Sequence, residues 1–394
     1  MNIPLIDLKA QYKSVSEELD RVTKEVLYSA NYIMGKNVSE FEKDFASYVG
    51  VKHAISVGNG TDALVIALKA LGIGQGDEVI TSTFTYFASA ECISAVGAKP
   101  VFVDVEKDTF NIDPSKIEEK ITEKTKAIIP VHIFGQSADM DKINDIAKKY
   151  NLKVIEDACQ AVGSKYKGKM IGLIGDIACF SFFPTKNLSC AGDGGMIVTS
   201  DDNIATIAKA LRTHGSGETG QKAYNLLNNI NEDIEKSNIE DDTVYNPLKY
   251  YNYLIGYNSR LDAIQAAILK VKLPHLDKWN ARRREIAHVY DEELKCSNVV
   301  IPSVRDENES IYHQYVLQTE DREKMLNKLK NKGVATGVYY PVPLHLQKVY
   351  KDLGYKEGDM PVAEHLSHRT FAIPVYPELT EEQIKYIIDS IKSE

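Results

Sequence analysis

Between residues 50 and 200, short apolar runs alternate with amphipathic stretches, and this alternation constrains the fold more than any other feature of the chain. HAISV precedes TDALVIALKAL, and DEVITS precedes TYFASAECISAVG. KPVFVDV, KAIIPVHIF, DKINDIAKKYN, LKVIEDA, ACFSFF and GMIVTS follow. Short runs rich in β-branched residues read as buried strands, and the stretches between them carry the helical period. Repeated strand–helix–strand units build a mostly parallel sheet covered by helices, an α/β fold. Ligands in such sheets collect beyond the carboxyl ends of the strands. The residues that close each run are therefore where chemistry is expected.

A length of 394 residues predicts two or three domains. After the alternating region, RLDAIQAAILKVKLPHLDKWNARRREIAHVYDEEL reads as a long helix interrupted near Pro274. From VVIPS onward, short strands mix with helices such as REKMLNKLKNKG, which predicts a smaller α+β domain. The expected division is 1–250 for a large domain and 251–394 for a small one, with a mobile insertion near 216–250. Within that insertion, Asn228–Asp242 (NNINEDIEKSNIEDD) holds six acidic residues and one lysine. It reads as a solvated surface segment, with a substrate lid as the alternative. The flanking Tyr245–Tyr253 carries four tyrosines that can pack near a nucleotide base or fill a dimer contact.

The net charge of −9 argues against a nucleic-acid partner, which needs a basic footprint, but leaves room for a small anion held by local donors. No basic start followed by an apolar run is seen, and no apolar stretch near membrane-spanning length. The five cysteines are scattered and form no CxxC pair. Neither a metal site nor a disulfide framework is expected, and the expected compartment is the cytoplasm.

Four strand ends carry suggestive residues. GNGTDAL (Gly58–Leu64) lies between a strand and a helix, where glycines and a threonine can offer free N–H groups to an anion. Taken alone it reads first as a turn with a helix cap. Asp157 ends the run VIED, with Gln160 three residues on; a plain helix cap explains it equally well. FSFFPTKNLSCAGDGG holds Ser181 and Lys186, a lysine between an apolar run and a glycine-rich turn. Apolar surroundings depress a lysine pKa and make its amine a better nucleophile toward a carbonyl. Tyr86, in TFTYFAS, offers a ring face, or else a core aromatic. Together these parts suit one cofactor. Pyridoxal phosphate needs a lysine amine, a carboxylate for its pyridinium nitrogen, a phosphate cradle and a flat surface for its ring.

The chain resembles the DegT/DnrJ/EryC1/StrS sugar aminotransferases. The resemblance runs from IPLIDLKAQY through FEKDFASYVGVKHAISVGNGTDAL, GDEVITSTFTYFAS, GAKPVFVDV, VIEDACQAVG, FSFFPTKNLSCAGDGG and GYNSRLDAIQAA to YYPVPLH. It implies a transferase of fold type I, with a mostly parallel seven-stranded sheet between helices. In that pattern Lys186 matches the Schiff-base lysine and Asp157 the partner of the pyridine nitrogen. Gln160 matches a glutamine close to the cofactor. Gly60, Thr61, the main chain at Asp62, and Ser181 fall at the phosphate. Tyr86 matches the aromatic stacked on the ring. Asn258 matches an asparagine reaching the phosphate from the other subunit, so a homodimer with shared sites is implied. The glycines of AGDGG are expected to let the chain turn sharply after the lysine.

The implied reaction aminates a keto-sugar on a nucleotide with L-glutamate as donor, the cofactor passing through its pyridoxamine form. KNL, GDGG and NSRLD look closest to members acting at C3. A dTDP-3-keto-6-deoxyhexose is the expected substrate, with UDP-3-keto or 4-keto sugars as alternatives. His313, Tyr315, Tyr340 and His345 are candidates for sugar or diphosphate contacts. Two features depart from the family pattern: Tyr339 stands where histidine is common, and the Gly215–Tyr251 connection is longer than usual. Relatives that act as dehydratases carry histidine at the lysine position, which Lys186 argues against. A regulatory protein that has kept the fold would be expected to lose Lys186 or Asp157, and both are present.

Overall fold

The computed structural model describes residues 1–234 and 250–393. The parts of the acidic segment and of the tyrosine-rich segment that fall in 235–249 lie outside the described residues. Seven strands form the main sheet: β1 (His53–Val57), β2 (Glu78–Ser82), β3 (Lys99–Val103), β4 (Thr125–Ile129), β5 (Lys153–Asp157), β6 (Ile177–Ser181) and β7 (Gly195–Thr199). Their order is β1-β7-β6-β5-β4-β2-β3. Pairing from β6 to β3 is parallel, and β7 runs antiparallel to both β1 and β6. Six strands therefore present their carboxyl ends at the same edge.

Side chains alternate across this sheet and feed two cores. Ile80, Ile128, Val154, Ala178 and Met196 enter one, while Val79, Ile129, Ile155, Ile177 and Ile197 enter the other. Helix α1 (Lys36–Val49) closes the first core with Val38, Phe41, Phe45 and Val49, spaced along one helical face. Helices α2 (Gly60–Ala70), α3 (Ala88–Ala95) and α4 (Asp202–Leu211) close the second. Covering both faces explains why the strands read as continuous apolar runs.

The long helical region divides as its proline requires. Helix α5 (Ala263–Lys272) passes through a 3₁₀ turn, Leu273–His275, into α6 (Leu276–Leu294). Ala266, Leu269, Leu273 and Leu276 pack into the first core of the large sheet. Farther along α6, Ile286, Tyr290 and Leu294 enter a separate C-terminal core. That core also takes side chains from the antiparallel pair β8 (Tyr315–Gln318) and β9 (Thr370–Ile373), and Ile3 from the chain start.

An apolar seam joins the two bodies: Phe84, Phe110 and Phe134 meet Val316, Leu344 and Leu366. Polar contacts pin it. Asp104, just past β3, accepts from the Val362 and Ala363 amides at 3.0 and 2.9 Å, capping helix Pro361–Arg369. Arg305 Nη1 donates to Asp139 Oδ2 at 2.8 Å. The ends of the long connection meet: Tyr253 N donates to Gly215 O at 2.9 Å, and Gly217 N to Tyr251 O at 3.0 Å.

Candidate active site

The carboxyl ends of β5 and β6 form the floor of the site. Asp157 closes β5 and is 4% exposed. Its Oδ2 accepts from Ser89 Oγ at 2.7 Å and its Oδ1 from Cys159 N at 3.2 Å. Its main chain is tied to the loop after β4, through Pro130 O at 2.9 Å and His132 N at 3.0 Å.

Lys186 lies in the loop that carries β6 into β7. Burial pushes its ammonium below the ordinary lysine value, and the neighbouring Cys159 and Asp157 only partly oppose this. A larger neutral fraction makes the amine a better nucleophile and proton acceptor. The glycines that follow act differently from expectation. None of Gly192, Gly194 and Gly195 has a left-handed φ. Space is the reason for two of them: a Cβ at Gly195 would lie 2.3 Å from Asn59 O, and one at Gly194 2.5 Å from Cys190 Sγ. Gly195 lets the hairpin press against the start of α2, and Gly194 leaves room for Cys190 and Leu261 within the loop.

Helix α2 begins beside Ser181. Asn59 caps it, its Oδ1 accepting from Asp62 N at 2.8 Å. The expected main-chain donor at Asp62 is thus already engaged by the cap. The Gly60 and Thr61 amides occupy the first positions of the helix, where no intrahelical acceptor exists. A Cβ at Gly60 would stand 2.8 Å from Ser181 Cβ and 3.0 Å from Cys159 Sγ, so glycine is what keeps this cradle open. Such a helix start favours an anion. Ser259 ties the neighbouring segment to it, donating to Asp62 Oδ2 at 2.6 Å while accepting from Gly58 N at 3.0 Å. Asn258 itself is exposed and bridges to Thr213.

Tyr86 is 62% exposed, which rules out the core-aromatic reading and leaves a ring face to offer. Gln160 is buried, accepting from Phe134 N at 2.9 Å and donating from Nε2 to Tyr340 Oη at 2.9 Å. The Tyr340 hydroxyl therefore keeps its own proton to donate elsewhere. Burial, and the Lys186 and Arg283 charges, hold His313 well below the usual histidine value; its Nδ1 lies 3.3 Å from Asn187 Oδ1.

Two candidates from the sequence have their polar atoms engaged within the protein. Tyr315 is fully buried in the C-terminal core, and its hydroxyl donates to Asp291 Oδ1 at 2.6 Å. His345 is buried with both ring nitrogens engaged, Nδ1 with Thr83 Oγ1 at 2.7 Å and Nε2 with Glu364 Oε1 at 3.0 Å. Both are corrected to structural residues, because their polar atoms are already spent inside the protein. Conversely, Ser89 and Asn187 escaped the sequence reading. Ser89 reaches Asp157 across 68 residues of chain. Asn187 Nδ2 donates to Asn280 Oδ1 at 2.8 Å and Ile311 O at 3.2 Å, anchoring the residue next to Lys186.

The residues present fit pyridoxal phosphate: the Gly60 cradle is open, the carboxylate is held in place, and the amine is desolvated. With this topology, they define a pyridoxal phosphate-dependent enzyme of fold type I. Residues 13–392 match the DegT/DnrJ/EryC1/StrS aminotransferase family, and the chain belongs to it.

A protein of Geobacillus stearothermophilus named pleiotropic regulatory protein is 48% identical, over 99% of this chain and 98% of its own. The dTDP-3-amino-3,6-dideoxy-alpha-D-galactopyranose transaminase of Aneurinibacillus thermoaerophilus is 42% identical, over 99% and 98%. The UDP-N-acetyl-3-dehydro-alpha-D-glucosamine 3-aminotransferase of Acidithiobacillus ferrooxidans is 40% identical, over 99% and 97%. Among solved structures, DesV of S. venezuelae, in complex with a ketimine intermediate, superposes with a TM-score of 0.89 at 37% identity, over 99% of this chain and 98% of its own. Ntda of Bacillus subtilis, with bound cofactor PMP, gives 0.84 at 30% identity, over 99% and 84%. Among the described residues no helix is long and apolar enough to cross a membrane, and no cluster of metal-ligating side chains occurs.

Proposed function

We propose that this aminotransferase converts the C3 keto group of a dTDP-linked 6-deoxyhexose to an amine, with L-glutamate as amino donor. The observation that carries the reading is a desolvated lysine in electrostatic reach of a buried, ionisable carboxylate at the strand ends. Two sugar-nucleotide relatives support the position of amination, since both names put the nitrogen at C3. They differ in nucleotide, so a UDP-linked 3-keto sugar is the second candidate, and a 4-keto sugar the third.

The bound cofactor supplies a carbonyl that takes up the amino group and a ring that accepts electrons. The rest is done by the chain. Lys186 Nζ, whose charged form is disfavoured by burial, takes and returns the proton on the reacting carbon. Asp157 holds a proton at the ring nitrogen. The Gly60 and Thr61 amides, Thr61 and Ser181 hold the phosphate, and Tyr86 covers the ring. Tyr340, fixed by Gln160, donates to a sugar or diphosphate oxygen, and neutral His313 lies beside Lys186 without adding positive charge. The relative named as regulatory does not weigh against turnover here, because both Lys186 and Asp157 are in place.

In the same reading the working unit is a cytoplasmic homodimer, in which Asn258 serves the partner's phosphate. Support comes from the exposure of Asn258 and of the nearby Ile255, an apolar side chain 90% exposed. The test is a panel of dTDP- and UDP-linked 3-keto and 4-keto sugars, each incubated with loaded enzyme and glutamate and followed by mass spectrometry. The dTDP-3-keto-6-deoxyhexose should be aminated fastest. Amination of 4-keto sugars alone would overturn the assignment.

A further inference from the structure

Asp157 does not hold its position alone. Ser89, on α3, lies behind it and is 2% exposed. A carboxylate only accepts, and a serine hydroxyl has one proton, so the 2.7 Å contact commits that proton to Asp157 Oδ2. The Ser89 oxygen keeps its lone pairs. Thr85 Oγ1, also 2% exposed, lies 3.2 Å from it. Because Ser89 has no second proton to give, Thr85 is the donor of that contact. The result is a directed relay from Thr85 to Ser89 to Asp157, in which each bond polarises the next.

The surroundings make this relay count. Titratable groups within electrostatic reach of Asp157 include the thiols of Cys92, Cys159 and Cys179, the phenol of Tyr340 and the amine of Lys186. Burial is the first cause holding the three thiols and the phenol protonated. These four groups are therefore neutral neighbours of Asp157. In a buried pair of carboxylate and ring nitrogen, low polarity favours moving the proton to the carboxylate, which leaves both partners neutral. Hydrogen bonds donated to the carboxylate act in the opposite direction, because they stabilise its ionised form. The Cys159 amide supplies one such bond, at 3.2 Å, and Ser89 supplies the shorter one.

We propose that Ser89 and Thr85 are positioning residues of the transamination machinery. Their relay directs a donated hydrogen bond onto the Asp157 carboxylate, which favours leaving the shared proton on the ring nitrogen of the bound cofactor. The proposal rests on the reading that Asp157 serves that nitrogen.

The test uses holoenzyme loaded with pyridoxal phosphate labelled with nitrogen-15 in the ring, followed by nuclear magnetic resonance. The wild type should show the resonance of a protonated ring. Ser89→Ala should move it toward that of the neutral ring and slow the glutamate half-reaction about tenfold, while Ser89→Thr, which keeps the hydroxyl, should restore both. Thr85→Val should shift it in the same direction by less. A merely structural role would lower thermal stability or cofactor affinity and leave the resonance in place, and that result in Ser89→Ala overturns the proposal. If Ser89→Ala does not fold, an unchanged resonance in Thr85→Val overturns it instead. Asp157→Asn separates the two levels of the argument. A ring that stays protonated in that variant refutes the underlying role of Asp157. A ring that becomes neutral there, beside an unmoved Ser89→Ala, refutes the relay alone.

Discussion

Gly60→Ala tests the phosphate cradle with little other disturbance. The added methyl would lie 2.8 Å from Ser181 Cβ and 3.0 Å from Cys159 Sγ. Apolar atoms rest at about 3.5–4.0 Å, so the start of α2 must retreat from β6 by about 1 Å. Neither neighbour is the loose end of a long flexible side chain: Ser181 Cβ is fixed to a strand, and Cys159 is held two residues after Asp157 by the hydrogen bond from its amide to Asp157 Oδ1. Overpacking of this kind costs about 1–3 kcal/mol. Gly60 has no left-handed φ and sits in a helix, so alanine recovers up to about 1 kcal/mol. The apoprotein should therefore lose about 0–3 kcal/mol, a modest fall in melting temperature. The cofactor should suffer more. The retreat carries the Gly60 and Thr61 amides with it, and a hydrogen bond to a charged group contributes about 1.5–3 kcal/mol. Losing one weakens pyridoxal phosphate binding by about tenfold to a hundredfold. Absorbance titration gives the affinity, and melting with and without a fixed cofactor concentration gives the linked stabilisation. An unchanged cofactor affinity in a folded variant refutes the cradle.

Lys186→Ala should abolish turnover, and borohydride should fix the cofactor on Lys186 in the wild type; a peptide map that finds the label on another lysine removes this assignment. Asp157→Asn should leave the circular dichroism spectrum unchanged and cost about 3 kcal/mol of transition-state stabilisation, so near-normal turnover contradicts its role. Lys272 is buried, and burial pushes its ammonium down from 10.5 to about 8, with Cys190 and Glu378 opposing. Between those values the unfolded chain binds more protons, so the Lys272 contribution makes stability rise as pH rises from 8 to 10.5. At about 1.4 kcal/mol per pH unit the rise is at most about 3 kcal/mol. Chemical denaturation of Lys272→Met apoprotein should lack that component, and equal pH slopes in the two proteins would refute it.

What could be read in the sequence was local and periodic. Asp157 and Ser181 close apolar runs, and a run that ends at a polar residue marks the edge of a sheet without any knowledge of packing. The break at Pro274 was legible for the same reason: a residue without an amide hydrogen interrupts the helix where it stands. Tyr315 and His345 were not legible, because a polar aromatic on an apolar run looks the same whether it faces a cleft or a core. Only the tertiary partners decide. Tyr315 meets Asp291, 24 residues earlier, and His345 meets Thr83, 262 residues away. The glycines after Lys186 were visible but their reason was not. Gly195 is there because Asn59, from another strand end, presses its carbonyl against it.

The same distinction explains why one chemical centre needs so much of the chain. The amine and the carboxylate come from neighbouring strands, whose register places Asp157 opposite Cys179, two residues before the end of β6. The sheet fixes the carboxylate directly, while the loop that carries the amine is also anchored through Asn187 to Asn280 and Ile311. The donors that orient the site do not come from the sheet. Ser89 lies on a helix, Gln160 is fixed by the Phe134 amide, and Tyr340 reaches in across the seam between the two bodies. Asp104 and Arg305 pin that seam from both sides. A strand end supplies a reactive group with its backbone already satisfied, but it cannot by itself set which way a carboxamide or a phenol points. The position of the carboxylate therefore depends on strand pairing, and the orientation of Gln160 and Tyr340 depends on contacts between residues far apart in the chain. In the proposed reading, substitutions that loosen the seam should weaken substrate affinity through Tyr340, which crosses it, and disturb Lys186 through the Asn187 anchor, while Asp157 and Gly60, which do not cross it, should stay in place.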